Sequence, residues 1–291
     1  MAHPGGRLRA AMAAERPLQV VGVVNAFTAR LAERAGFRAL YVSGAGVANA
    51  SYGLPDLGLT SLEDVLVDVS RITAATELPV VVDADTGWDH EGGVEHTVRA
   101  LHTAGAAAVQ IEDQVEAKRC GHRPGKQLVG VEVMADRVAR ASAARPDPDM
   151  VIVARTDAAA VEGLEAAIER AVTYVDHGAD VIFAEALASL EEYRAFTSRV
   201  GAPVLANLTE FGLTPLLSTR ELDDAGVAIA LYPLSAFRAM SRAAETVFTV
   251  IRRDGTQASV VPTMQTRAEL YEILDYERAE RERTTGAPVA P

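Results

Sequence analysis

The chain has 291 residues, 49% of them hydrophobic and 23% charged, with a formal net charge of −12. Those proportions are ordinary for a globular protein, and the acidic balance disfavours nucleic acid or an acidic membrane as a partner, since both require basic surface. The single cysteine, Cys120, excludes an internal disulfide, and no apolar run approaches membrane-span length.

The first sixteen residues mix Gly, Arg and Glu without an apolar stretch, so a cytoplasmic protein with a frayed tail over 1–6 is expected. A strand is predicted over 20–26 and a second over 39–44. The string Gly44-Ala45-Gly46 that follows echoes a dinucleotide fingerprint but lacks its third glycine. Ser43 has no nucleophile-elbow context, which argues against a serine hydrolase. Helical spacing over 62–75 leads to a third strand, 79–85, and helical spacing over 94–103 to a fourth, 107–113. His90, Glu91 and His96, between them, have the wrong spacing for two zinc ligands on one helix turn. Helices over 131–144, 164–177, 190–200 and 218–225 then alternate with strands over 150–157, 180–186, 203–209 and 227–233. Gly36, Gly105, Gly178 and Gly226 each stand just before a strand, where a helix C-terminus favours glycine. Strands that are apolar nearly throughout suit a parallel sheet covered on both faces, and eight βα units predict a (β/α)8 TIM-type barrel. Beyond it, 236–253 and 263–283 read as helices and 284–291 as a tail. The chain is thus expected to form one barrel domain over 1–291, with a core of about 17–253 and a C-terminal helical extension of about 254–283.

Chemistry in such a barrel belongs at the C-terminal ends of the strands. Polar residues recur there: Asn25, Ser43, Asp83 and Asp85, Glu112, Arg155 and Asp157, Glu185, Asn207 and Thr209. Asp83 and Asp85, two apart on a strand, would project from one face, and hard oxygen donors suit Mg2+ or Mn2+. Glu112, one strand over, could hold a metal-bound water. A loop or capping pair is the competing reading, but two like charges so close need a cation. Arg155 could grip a substrate carboxylate while Asp157 orients it; for Asp157 a structural salt bridge is the favoured alternative. Cys120 lies in Lys118-Arg119-Cys120-Gly121-His122-Arg123, where flanking cations would stabilise a thiolate and glycine would let backbone approach a ligand. Phe183, Leu231 and Pro233 could line an apolar niche for a methyl group. Arg238 and Arg267, on the helices after the last strand, read locally as surface residues.

Taken together, Tyr41-Val42-Ser43-Gly44, residues 53–58, Val82-Asp83-Ala84-Asp85, Ile111-Glu112-Asp113-Gln114, the Lys118–His122 string, Ala154-Arg155-Thr156-Asp157, residues 206–210 and residues 231–235 resemble the isocitrate lyase and phosphoenolpyruvate mutase superfamily. Residues 237–245 and 263–267 resemble its 2-methylisocitrate lyases in particular. The resemblance implies a barrel, usually homotetrameric, whose eighth helix is exchanged between subunits. It further implies Mg2+ on Asp83 and Asp85, supported by Glu112 through water, and a substrate pyruvate moiety on Ser43, Gly44 and Ala45. Close relatives often carry a third glycine where Ala45 stands. Cys120 and Gly121 would lie on a mobile gating loop, Lys118 and His122 of the same string would join Cys120 and Tyr41 as catalytic residues, and Arg155, Glu185, Asn207, Leu208, Thr209, Arg238 and Arg267 would complete a tricarboxylate pocket. The implied reaction is retro-aldol cleavage of 2-methylisocitrate to pyruvate and succinate, with Tyr41 or a metal-linked group as base and Cys120 as acid. Alternatives on the same scaffold are an oxaloacetate decarboxylase, a phosphonopyruvate hydrolase or a carboxyphosphonoenolpyruvate mutase, and, of a different class, a non-catalytic dicarboxylate-binding barrel.

Overall fold

The structure is a computed structural model that describes residues 3–88 and 92–285. The expectations placed on residues 1–2, on His90 and Glu91, and on residues 286–291 lie outside that range.

The elements follow in chain order as α1 (Pro4–Ala14), β1 (Leu18–Gly22), α2 (Ala26–Arg34), β2 (Ala39–Val42), the short turn α3 (Gly44–Gly46), α4 (Leu62–Thr73), β3 (Val80–Asp83), α5 (Gly93–Thr103), β4 (Ala108–Glu112), α6 (Val131–Ala144) and β5 (Val151–Thr156). Then come α7 (Leu164–Asp176), β6 (Val181–Ala184), α8 (Leu190–Arg199), β7 (Val204–Asn207), α9 (Thr219–Asp224), β8 (Ile229–Tyr232), α10 (Ser235–Asp254), α11 (Arg267–Ile273) and α12 (Tyr276–Thr285). The eight strands pair in sequence order, all parallel, and β1 closes on β8, with Val20 opposite Leu231.

Both strand faces are apolar because both are covered. Tyr41, Val81, Val153, Phe183, Leu205 and Leu231 fill the barrel interior. Their neighbours Leu40, Val42, Val80, Val82, Ile152 and Ile182 point outward into the layer beneath the helices. This is the alternation that a pleated strand imposes when neither face meets water. The barrel is therefore a packed core, and only its C-terminal mouth is open to carry polar groups.

Four local expectations are corrected. Residues 3–6 are not a frayed tail: His3 caps α1 by accepting from Gly5 N, Pro4 starts the helix, and Leu8 and Ala11 further along it join the barrel-interior cluster. The first strand stops at Gly22, and Asn25 instead caps α2 through a reciprocal capping box with Thr28. Asp85 is not on a strand; β3 ends at Asp83 and Asp85 takes a left-handed backbone with φ of 47°. The long terminal helix is broken into a 3-10 turn, α11 and α12, with Asp275 at φ of 49° between the last two. Among the described residues no helix is long and apolar enough to cross a membrane.

Candidate active site

Asp83, at the end of β3, accepts three hydrogen bonds, from Gly44 N at 3.1 Å, Gln110 Nε2 at 3.0 Å and Asp85 N at 3.2 Å. Gln110 is itself oriented by the Tyr41 hydroxyl, which donates to Gln110 Oε1 at 2.6 Å. Burial, followed by the charge of Asp83, raises the Tyr41 phenol well above its ordinary range. The phenol is thus a neutral donor that fixes an amide, which does not suit the base role expected of it.

Asp85 reaches the same place by a different route from the strand periodicity expected. Its left-handed turn brings the carboxylate beside Gly44, where a β-carbon would stand 3.1 Å from Asp85 Oδ1 and 3.4 Å from Asp83 Oδ2. Glycine at position 44 leaves that space open to a ligand. The Lys118 ammonium occupies the approach, 2.5 Å from Asp85 Oδ1 and 2.8 Å from Asp56 Oδ1. Burial together with Asp83 lifts the Asp85 carboxyl to about 6, although Lys118 opposes the rise. Glu112, at the end of β4, is pushed well above the usual carboxylate range by burial, and its Oε1 has no hydrogen-bond partner.

Five carboxylates, Asp83, Asp85, Glu112, Asp157 and Glu185, are buried at the mouth against three buried cations, Lys118, Lys126 and Arg155. Asp85 and Glu112, whose carboxyls burial holds above the ordinary range, would be favoured in their charged form by a divalent cation beside them. Among the described residues no three His, Cys, Asp or Glu side chains already close around one point. Lys118 instead stands in as the cation on Asp85. An all-oxygen donor set around Asp83, Asp85 and the unmet Glu112 oxygen fits Mg2+ or Mn2+.

Arg155, in β5, lies among three carboxylates: Asp157 at 2.9 Å, Glu112 at 3.4 Å and Glu185 at 3.4 Å. Its guanidinium also sits over the Phe183 ring, 5.1 Å from the centroid. The two hydrogen bonds from Arg155 to Asp157 match the salt-bridge reading of that aspartate. Glu185, just beyond β6, has no exposure to water. Burial alone would raise it, but Arg155 and His122 outweigh that and hold its carboxyl down at about 2. Asn207, closing β7, has Nδ2 within 3.4 Å of both Glu185 oxygens, while its own Oδ1 is buried and without a partner.

The segment carrying Cys120 folds over this floor. His122 Nε2 is 2.7 Å from Glu185 Oε1, and its Nδ1 accepts from Leu213 N at 2.9 Å. Gly121 lies so close to the floor that a β-carbon would overlap Arg155 Nη2 and stand 2.6 Å from Glu185 Cγ. Cys120, half-buried, lines the cavity together with Tyr41, Ser43, Ala45, Asp83, Glu112, Lys118 and Arg155. Glu185, Asn207, Thr209, Phe183, Leu231, Pro233 and Arg238 complete the wall. Of the cations expected to flank the thiol, Lys118 is turned to Asp56 and Asp85 and His122 to Glu185.

With this geometry in place the comparisons are specific. A model of the phosphoenolpyruvate phosphomutase family matches residues 8–252. The chain belongs to that family. The chain is 58% identical over 274 residues to a 2-methylisocitrate lyase of Salmonella typhimurium, covering 94% of this chain and 93% of the relative. A crystal structure of 2,3-dimethylmalate lyase superposes with a TM-score of 0.90 at 34% identity, covering 99% of this chain and 97% of that one. A phosphonopyruvate hydrolase in complex with oxalate and Mg2+ superposes with a TM-score of 0.85 at 30% identity, covering 97% and 99% of the two chains.

Within this phosphomutase-family barrel, two expected pocket residues lie elsewhere. The Leu208 side chain is buried in the outer apolar layer and its N–H donates to Leu231 O at 2.8 Å, so its side chain faces away from the cavity. Arg267 is exposed at the start of α11, which packs on α2, and it does not line the cavity. Arg238, dismissed by local reading, is in the wall beside Glu210 and Phe211. Sequence reasoning passed over Gln110, Asp56 and Lys126. For Gln110 a signal existed, one amide amid the apolar run of β4; for Asp56 and Lys126 only three-dimensional proximity reveals the role.

Proposed function

We infer that this protein is a carbon–carbon lyase that cleaves 2-methylisocitrate to pyruvate and succinate. The observation that carries the reading is one cavity that unites the Asp83 region, the lone thiol of Cys120 and the apolar trio Phe183, Leu231 and Pro233. The first supports an α-hydroxy acid, the second supplies a proton, and the third receives a methyl group.

Asp83, Asp85 and, through water, Glu112 would hold Mg2+, which when bound polarises the substrate hydroxyl and adjacent carboxylate. Ser43, Gly44 and Ala45 would seat the pyruvate half, and Arg155, Arg238, Asn207 and Thr209 the succinate carboxylates. Glu112 Oε1, a buried atom with no partner, would take the hydroxyl proton provided that carboxyl is kept ionised against burial by the bound cation. The bond between the hydroxyl-bearing carbon and its neighbour then breaks, and its electron pair stays on the succinate carbon. The Cys120 thiol gives its proton to that carbon, completing succinate. Arg155 and Arg238 stabilise the charge that develops there, and fixed cations of this kind lower such a barrier more than any other single contribution. Lys118 and His122 hold the loop over the site and exclude water.

The chain is proposed to work in the cytoplasm, where its thiol stays reduced. It is further proposed to be one barrel domain assembled as a homotetramer with exchanged C-terminal helices.

The deciding assay offers 2-methylisocitrate and isocitrate separately, with and without EDTA, and scores pyruvate against glyoxylate. Pyruvate from 2-methylisocitrate that disappears with EDTA is expected. Pyruvate from oxaloacetate alone would move the assignment to a decarboxylase, and calorimetric binding without turnover to a dicarboxylate-binding barrel.

A further inference from the structure

Lys126 has no part in the chemistry above, yet its side chain is only 2% exposed. Burying an ammonium is costly unless it is paired and hydrogen-bonded. Both needs are met, and by two different parts of the molecule. Lys126 Nζ lies 2.5 Å from Gly121 O, on the loop, and 2.8 Å from Asp157 Oδ1, on the barrel.

Asp157 is itself fixed from below, where its N–H donates to Asp113 Oδ1 at 2.9 Å. Asp113 in turn accepts from Thr156 at 2.7 Å and Tyr174 at 3.0 Å. Lys126 therefore joins the loop backbone to a rigid part of the core. The other two pins of the same loop differ in kind. Lys118 and His122 pair with Asp56 and Glu185, which face the cavity and must exchange partners when ligands enter. Asp157 does not line the cavity, so a ligand entering there makes no direct contact that would displace Lys126 from it.

We propose that Lys126 is a positioning residue that latches Gly121, and with it the adjacent Cys120 thiol, onto the barrel through Asp157. The latch works through Gly121 because glycine alone fits against Arg155 and Glu185 there. A shift of that backbone would carry the neighbouring thiol away from the carbon it must protonate. Geometry of this kind governs rate steeply.

The experiment reads the loop directly. Cys120 is the only thiol, so its alkylation by iodoacetamide without substrate reports loop opening, as does tryptic cleavage after the exposed Arg119. In Lys126→Met, loss of a charge-assisted hydrogen bond should accelerate both by about tenfold when measured well below the variant's own Tm, which should itself fall because Gly121 O and Asp157 each lose a buried partner. The activity readout rests on the lyase reading: kcat should fall by a similar factor while KM for 2-methylisocitrate changes little. A folded Lys126→Met protein with wild-type alkylation and cleavage rates overturns the latch, whatever its activity. Faster alkylation in a protein whose wild type never cleaves 2-methylisocitrate refutes the lyase reading and leaves the latch standing. Should Lys126→Met not fold, the pair Lys126→Met/Asp157→Asn removes both buried charges and is read by alkylation and cleavage alone, since Asp157→Asn also weakens the hold on Arg155. Failure of that pair to fold also overturns the proposal, since Lys126 would then be a core ion-pair residue.

Discussion

Glu185 is a carboxylate without water, held at about 2 by Arg155 and His122 against the cost of burial. A carboxyl depressed from an ordinary 4.5 stabilises the fold above pH 4.5, and that stability is lost as pH falls toward 2. The contribution is on the order of 3 kcal/mol from the size of the shift. Glu185→Gln should therefore flatten the dependence of unfolding free energy on pH between pH 4.5 and 2, read from urea titrations at each pH. An unchanged slope in that variant would show that Glu185 is not ionised as the geometry implies. Cys120 carries the complementary prediction, about chemistry rather than stability. Cys120→Ser keeps the shape of the cavity but replaces the acid with a much weaker one. It should leave calorimetric substrate binding within a few-fold and lower kcat by about 10²–10⁴, the usual range for a positioned proton donor. Undiminished turnover would remove Cys120 from the reaction.

Elements differed sharply in how openly the sequence announced them. The eight strands were legible because each is an apolar run buried on both faces, a pattern that βα repetition reinforces. Helix α2 escaped because the run from Val20 to Ala26 looks continuous, whereas the Asn25–Thr28 capping box decides where strand gives way to helix. Helix α1 escaped because Gly5 and Gly6 are poor helix formers; packing of Leu8 and Ala11 into the barrel overrides that propensity. The candidate site shows the same division. Asp83, Glu112, Arg155, Glu185 and Asn207 were readable, since strand termini fix where they stand. Asp85 was identified for the wrong reason. Its carboxylate is aimed by a left-handed turn that spacing alone does not encode. Lys126 and Asp56 act across the loop, so no window of sequence contains both the residue and its partner.

At the scale of the whole molecule, α10 to α12 are out of character with the rest. Val250 is the only buried residue of α10, while Phe248 is 71% exposed and Met240 and Ile251 lie open beside it. Met264, Tyr271 and Tyr276 continue the apolar surface along the extension. A chain with a net charge of −12 and a fully packed barrel has no need of this surface for its own core, and such patches mark contact sites. The proposed exchange of these helices between subunits would cover it. Light scattering should then give a mass near four times 30.8 kDa, and Phe248→Glu should shift the population to smaller species. Exchange would also account for Arg267, which stands outside the cavity of its own chain and would complete that of a neighbour. Co-expressed Cys120→Ser and Arg267→Ala chains, each expected to be impaired alone, should then recover part of the activity, because a Cys120→Ser chain can lend Arg267 to a neighbour with an intact thiol. A monomer mass at micromolar concentration, or mixed tetramers no more active than the separate variants, would place the C-terminal helices on their own barrel.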